Sequence, residues 1–146
     1  MSVDENKRIP LESFRIIESG DAASADLIVA NDFVNREAED APEQADRNLR
    51  GPKGFLATSH WLRAAFAELR FERFETLAED ERVAVLATMT GRHTGAFQGI
   101  LPTNKRFQQR QIHFFRLRAG QIVEHLAQRD DLGLLFQLGW HPHHEG

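Results

Sequence analysis

The sequence contains no cysteine and no tyrosine. The first absence excludes thiol nucleophiles, thiolate metal sites and redox dithiols. The second excludes a phenol as acid or oxyanion donor. Tryptophan and methionine occur twice each, so 11 phenylalanines supply nearly all the aromatic area. Polar chemistry in an aromatic-lined site must therefore come from the seven histidines, the carboxylates, Arg, Gln, Asn or Thr. No apolar run approaches the ~18 residues that a membrane-spanning helix needs. A basic excess is missing too. With 18 Lys and Arg against 22 Asp and Glu, the net charge is −4. That balance opposes nucleic-acid binding, which rests on neutralising phosphates. The stretch from Met1 to Arg8 is charged and lacks the apolar centre of a signal peptide. With the lack of cysteine, this points to a reducing cytoplasm.

What is present describes one soluble domain. The chain has 146 residues, 41% apolar and 27% charged. A chain of that length buries roughly 70% of its unfolded surface, enough for a core without staples. Residues 1–8 read as a flexible tail, 9–139 as a single domain and 140–146 as a C-terminal tail. Pro10 suits the first turn of a short helix through Leu11, Phe14 and Ile17. Ser19-Gly20-Asp21 stops it, with Asp21 as the next N-cap. A second short helix covers 22–30, and Asp32 to Asn35 is a brief strand. Residues 36–50 are polar and carry Pro42, which reads as a mobile loop or lid.

Gly51-Pro52-Lys53-Gly54 opens what reads as the longest helix. Phe55, Ser59, Leu62, Phe66 and Leu69 recur at helical spacing along it. After Leu69 the period becomes two. Residues 70–78 alternate, with Phe71, Arg73, Glu75 and Leu77 on one face. Residues 82–92 and 105–118 are strands separated by a loop from Thr94 to Asn104. Ala119-Gly120 is a tight turn, and 121–129 returns as a further strand. Leu132 to Leu138 form a closing helix, capped by Asp130 and Asp131 and ended by Gly139. Helices first and antiparallel strands afterwards predict an α+β layout, with helices on one face of a curved sheet and an internal cavity.

Four segments carry a family resemblance: SGDAASADLIVANDFV (19–34), GPKGFLATSHWLRAAFAEL (51–69), ERVAVLATMTGRHTGAFQGILPTNK (81–105) and IHFFRLRAGQIVEHLAQRDDLGLLFQLG (112–139). The most specific piece is TGRHTGAFQGILPTNK (90–105), which looks like a TGxHxGxFxGIPPTG hairpin loop. Together they resemble the SnoaL-like polyketide cyclases of the NTF2-like superfamily. The resemblance implies an α+β cone whose sheet wraps a long helix around a cavity. It also implies aldol cyclisation without a cofactor, a homodimer, and a polyketide-like small-molecule ligand. In the family an aspartate two positions after a Glu-His pair removes a proton from carbon, and a histidine on the preceding strand assists. His113 matches that histidine. The pair is Glu124-His125 here, but the aspartate position is Ala127.

Removing a proton next to a carbonyl requires a base in a dry cavity and donors facing the enolate oxygen. Ala127 supplies neither. Strand parity offers substitutes. If His113 faces the cavity, so do Phe107, Gln109, Gln111, Phe115 and Leu117. If position 127 faces it, so do Val123, His125 and Arg129. A turn centred on Arg118-Ala119, with Gly120 as a bulge, would set His113 opposite His125 and Gln111 opposite Ala127. Two imidazoles then meet in an apolar pocket, one as base and one as donor. His113 and His125 are the expected catalytic pair. Gln109, Gln111, Phe115, Ala127, Arg129 and Trp61 are the expected substrate contacts.

His93 reads as loop scaffolding and His60 as a packing residue. His141, His143 and His144 read as a solvated tail. No His-x-x-His lies on a rigid element, so no metal is expected. The outward Arg106, Arg110, Arg116 and Arg118 suggest a solvated face or a dimer contact. Two functions remain open. One is a cofactor-independent cyclase, isomerase or hydrolase for an apolar carbonyl compound. The other is a non-catalytic small-molecule-binding protein of the same fold, favoured by Ala127.

Overall fold

The computed structural model describes residues 2–36 and 49–142. The expected lid (36–50) falls almost wholly outside them, as do His143 and His144. The elements run α1 (Val3–Ser19), α2 (Ala22–Ile28), β1 (Val29–Asn35), α3 (Gly51–Ala65), β2 (Phe66–Glu79), β3 (Arg82–His93), β4 (Arg106–Arg118), β5 (Gln121–Arg129) and α4 (Asp131–Gln137). One five-stranded sheet has the order β1-β5-β4-β3-β2. β1 runs parallel to β5, and the other neighbours are antiparallel. This is the expected α+β cone, with α1 and α3 against the inner face of the sheet. Among the described residues no helix is long and apolar enough to cross a membrane.

The N-terminal segment is helical rather than a flexible tail. Ser2 caps α1, its Oγ accepting the Glu5 N–H at 3.1 Å, while that hydroxyl meets the Glu5 carboxylate at 3.2 Å. Ser-x-x-Glu is a capping signature, and the charge of the segment hid it. Pro10 therefore lies inside α1, not in its first turn, and Ser13 Oγ donates to its carbonyl at 2.5 Å. Asn6 is buried and donates to the Asp80 carbonyl at 2.9 Å, tying α1 to the β2–β3 turn.

α3 ends at Ala65 instead of Leu69, and at 15 residues it is shorter than α1 with 17. Leu62, Phe66 and Leu69 fit a helix by spacing alone. Pairing decides otherwise, because Phe66 and Ala67 already lie opposite His93 and Arg92 of β3. The parity expected along β2 also fails. Glu68 and Arg73 have φ of 58°, and the β2–β3 register shifts at both places. Each shift re-phases the strand. Phe71 points into the core, whereas Leu77 is 77% exposed. Glu18 of α1 braces this bent strand, accepting the Phe71 N–H at 2.7 Å.

β4 alternates as its period predicts. Phe107, Gln109, Gln111, His113, Phe115 and Leu117 are buried, and the residues between them are exposed or half-buried. The expected β4–β5 register is corrected. Ala119 and Gly120 both have positive φ (49° and 80°), a two-residue turn that pairs Arg118 with Gln121. A register shift follows, so that Leu117 pairs with Ile122 but Arg116 with Glu124. His113 then faces Ala127, Phe115 faces His125 and Gln111 faces Arg129. The observed pairing differs from the expected one by two residues, which preserves parity. His113 and His125 therefore share the inner face as diagonal neighbours.

On the outer face, Arg106 pairs with Glu68 at 2.8 Å, Arg116 with Glu124 at 3.3 Å and Arg118 with Asp32 at 2.8 Å. His93 is buried at the root of the 94–105 loop, where its Nδ1 accepts the Thr103 N–H at 3.2 Å. Its own backbone bonds Lys105 and Asn104. The Asp130 carboxylate caps α4 by accepting the Gly133 N–H at 2.9 Å.

Candidate active site

The inward residues of β4 and β5 meet α1, α3 and β1 around a small cavity of about 40 Å³. That is room for a few waters, at the 10–15 Å³ or so that each requires. Its apolar walls include Phe14, Phe55, Leu62, Phe71 and Phe115. Its polar floor is a single hydrogen-bonded chain. Gln109 Nε2 donates to the Asp130 carbonyl and to Asp131 Oδ1, both at 3.1 Å. Gln111 Nε2 donates to Gln109 Oε1 at 2.8 Å and reaches Met89 Sδ at 3.5 Å. Gln111 Oε1 lies 2.6 Å from His113 Nε2. His113 Nδ1 lies 2.8 Å from His125 Nε2. His125 Nδ1 lies 3.1 Å from Asn35 Oδ1, and Asn35 Nδ2 donates to Thr58 Oγ1 at 3.3 Å.

Burial sets the charge state of this pair. The His113 imidazole is held well below its ordinary pKa by desolvation, then by His125 and then by Arg129. Desolvation and Arg129 push His125 down to about 3. Both rings are thus neutral near pH 7 and able to accept a proton. Phe14 stands edge-on to the His113 ring, with centroids 4.8 Å apart, and Phe115 packs on His125 at 4.9 Å. The aromatic walls therefore shield both imidazoles from bulk solvent. Arg129 borders the cavity, its side chain mostly buried, with Nε 3.5 Å from Asp131 Oδ1.

The structure brings together His113, His125, Gln111, Phe115 and Arg129 from the expected set. Gln109 stands behind Gln111 and joins the site only through it. Ala127 is 7% exposed and faces His113 across the ladder. Trp61 packs on Phe97 at 5.3 Å and is absent from the cavity lining. Asn35, Thr58 and Asp131 were missed from sequence. Asn35 alternates with the buried Phe33 on β1, and that parity was the available signal. Among the described residues no group of three or more His, Asp or Glu side chains is arranged around a metal site.

The profile of the SnoaL-like polyketide cyclases matches residues 12–138. The chain belongs to the SnoaL-like polyketide cyclase family. Nogalonic acid methyl ester cyclase of Streptomyces nogalater is 39% identical over 101 residues, covering 66% of this chain and 73% of the relative. Aklanonic acid methyl ester cyclase DauD of Streptomyces sp. (strain C5) is 33% identical over 132 residues, covering 86% and 78%. Among solved structures, TsrD from Streptomyces laurentii superposes with a TM-score of 0.81 at 21% identity, over 95% of this chain and 98% of the other. That likeness concerns the fold. Ala127, at the position where the resemblance implies an aspartate, lies opposite His113.

Proposed function

We propose that this SnoaL-like protein is an ester-cyclase-type enzyme that binds a small, largely apolar carbonyl compound and closes a ring without a cofactor. The observation that carries the reading is the buried, neutral His113–His125 pair, hydrogen-bonded at 2.8 Å beside Arg129 and walled by phenylalanines. A carbon acid gives up its proton to a neutral imidazole, and its electron pair moves onto the carbonyl oxygen as an enolate. Arg129 is the cationic group bordering the cavity that would face such an oxyanion. The enolate carbon then attacks a second carbonyl, and the imidazolium returns the proton to the new alkoxide. Burial makes the imidazole a weak base at rest. An enolate forming beside it would offset the field of Arg129 and strengthen it.

The test is turnover of nogalonic and aklanonic acid methyl esters and a panel of β-keto esters. The wild type is compared with His125→Gln and Ala127→Asp. Loss of a general base costs about 10²–10⁴ in rate. Unchanged turnover in folded His125→Gln protein would remove the pair from the mechanism.

A second reading is favoured by two observations. Ala127 stands where the resemblance implies a carboxylate, and the cavity of about 40 Å³ leaves no room for a fused-ring substrate without side-chain movement. On that reading the protein holds a small apolar ligand and converts nothing. Native mass spectrometry showing a retained ligand, with no turnover in the panel, would select it.

We also infer a homodimer formed through the outer sheet face, where Ile112 is 58% and Leu126 37% exposed. Analytical ultracentrifugation of Ile112→Asp against wild type tests this. A reducing cytoplasm remains the location that a cysteine-free chain suggests.

A further inference from the structure

The polarity of the hydrogen-bonded chain is set at one end and adjustable at the other. A backbone carbonyl and a carboxylate only accept. The Asp130 carbonyl and Asp131 Oδ1 therefore take both amide hydrogens of Gln109 and fix its oxygen toward Gln111. Gln111 spends its hydrogens on Gln109 and Met89, so its oxygen must face His113 Nε2. His113 Nε2 must then carry the hydrogen, which leaves Nδ1 as an acceptor. His125 Nε2 has to donate to it, which leaves a lone pair on His125 Nδ1.

That lone pair meets Asn35, whose amide fills the same volume in either orientation. With its carbonyl toward Nδ1 at 3.1 Å and its NH2 toward Thr58, Asn35 suits a ring that already carries a proton on Nδ1. A half-turn of the amide suits the neutral ring, with Asn35 Nδ2 donating to Nδ1 and the Thr58 hydroxyl donating to Asn35 Oδ1. Both His125 and Asn35 border the cavity.

We propose that His125 Nδ1 is the proton-accepting atom of the site, and that Asn35 is a positioning residue whose amide turns as that atom gains or loses its proton. Gln109 and Asp131 are positioning residues as well, because they set the direction of the chain from outside the cavity. The inference rests on the acid–base reading above, but its test needs no turnover. The ionisable groups facing the pair are Arg129 on β5 and, through the two glutamines, Asp131 on α4. α1 and α3 present Ser13 and Thr58 among apolar side chains. No covalent step beyond proton transfer is involved. The carbon acid delivers its proton to Nδ1 only after the Asn35 NH2 has left that lone pair, and the C–H electron pair stays on the substrate as its enolate.

Long-range 1H–15N correlation spectra of histidine-labelled protein, without substrate, report the tautomers directly. At neutral pH both His113 and His125 are expected to be protonated at Nε2, and on acidification the added proton should appear on His125 Nδ1. Gln109→Met removes the anchor without changing side-chain length and should give His113 as a mixture of tautomers. Asn35→Asp places a permanent acceptor at Nδ1 and should raise the titration of His125 by about 1–3 pH units. Asn35→Leu, which offers no acceptor, should not. An Nδ1-protonated His113 in the wild type would overturn the proposal. So would an unchanged tautomer in folded Gln109→Met protein, or an Asn35→Asp titration equal to wild type. Tautomers as expected but no turnover with any ester would sink the cyclase reading and leave this one standing.

Discussion

Folding this protein buries two imidazoles in their neutral form, and acid should therefore unfold it earlier than its carboxylates alone would. An unfolded histidine titrates near 6.5, whereas His125 is pushed down to about 3 and His113 well below 6.5. Between those values the unfolded chain binds protons that the folded chain refuses. Stability is thus complete above pH 6.5 or so and falls as the pH drops through that window, by about 1.4 kcal/mol per pH unit for each excluded proton. From pH 7 to pH 5, His125 alone should cost about 2 kcal/mol, and His113 adds to this with the same sign. A loss of that size is a sizeable share of the ~5–15 kcal/mol that holds a domain together. Urea unfolding at a series of pH values measures the slope. The His113→Gln/His125→Gln double variant should flatten it by the same amount. His93, also lowered by burial, contributes with the same sign in both proteins and cancels from the difference. Equal slopes in wild type and double variant would refute the reasoning, because the pair would then not be held neutral by the fold.

Other outcomes follow from packing and charge. Phe14 touches His113, Phe71, Phe74 and Phe115, so Phe14→Ala should lower the unfolding free energy by about 3–5 kcal/mol in chemical denaturation. Gly95→Ala would drive a methyl group to 1.9 Å from the Ala64 carbonyl oxygen, and its thermal midpoint should drop with a loss of at least about 2 kcal/mol. Ala127→Asp sets a carboxylate opposite His113, so NMR titration should show the His113 pKa rising while the acid sensitivity of the fold weakens.

The strands around the site were legible because each has a strong local signal. β4 is a run without glycine or proline that Ala119-Gly120 ends. Parity on β4 and on β5, joined by the hairpin between them, puts both imidazoles on one face. What failed was register, and for a definite reason. The two-residue turn and the shift after Leu117 together move the pairing by two positions, which parity cannot detect. Glu68 and Arg73 adopt positive φ with no glycine to announce it, so the end of α3 and the faces of β2 were misread. The parallel pairing of β1 with β5 joins residues about ninety positions apart and leaves no local trace. Asn35 enters the site through that pairing, and Asp131 reaches it from outside the cavity through Gln109. Their roles appeared only when the hydrogen bonds could be followed from atom to atom.

The central claim is that the buried imidazole pair performs the proton transfer. Turnover of a methyl ester substrate by folded His125→Gln protein tests it most directly. The account predicts a loss of about 10²–10⁴ in kcat with the circular dichroism spectrum unchanged. Wild-type turnover in that variant would contradict it.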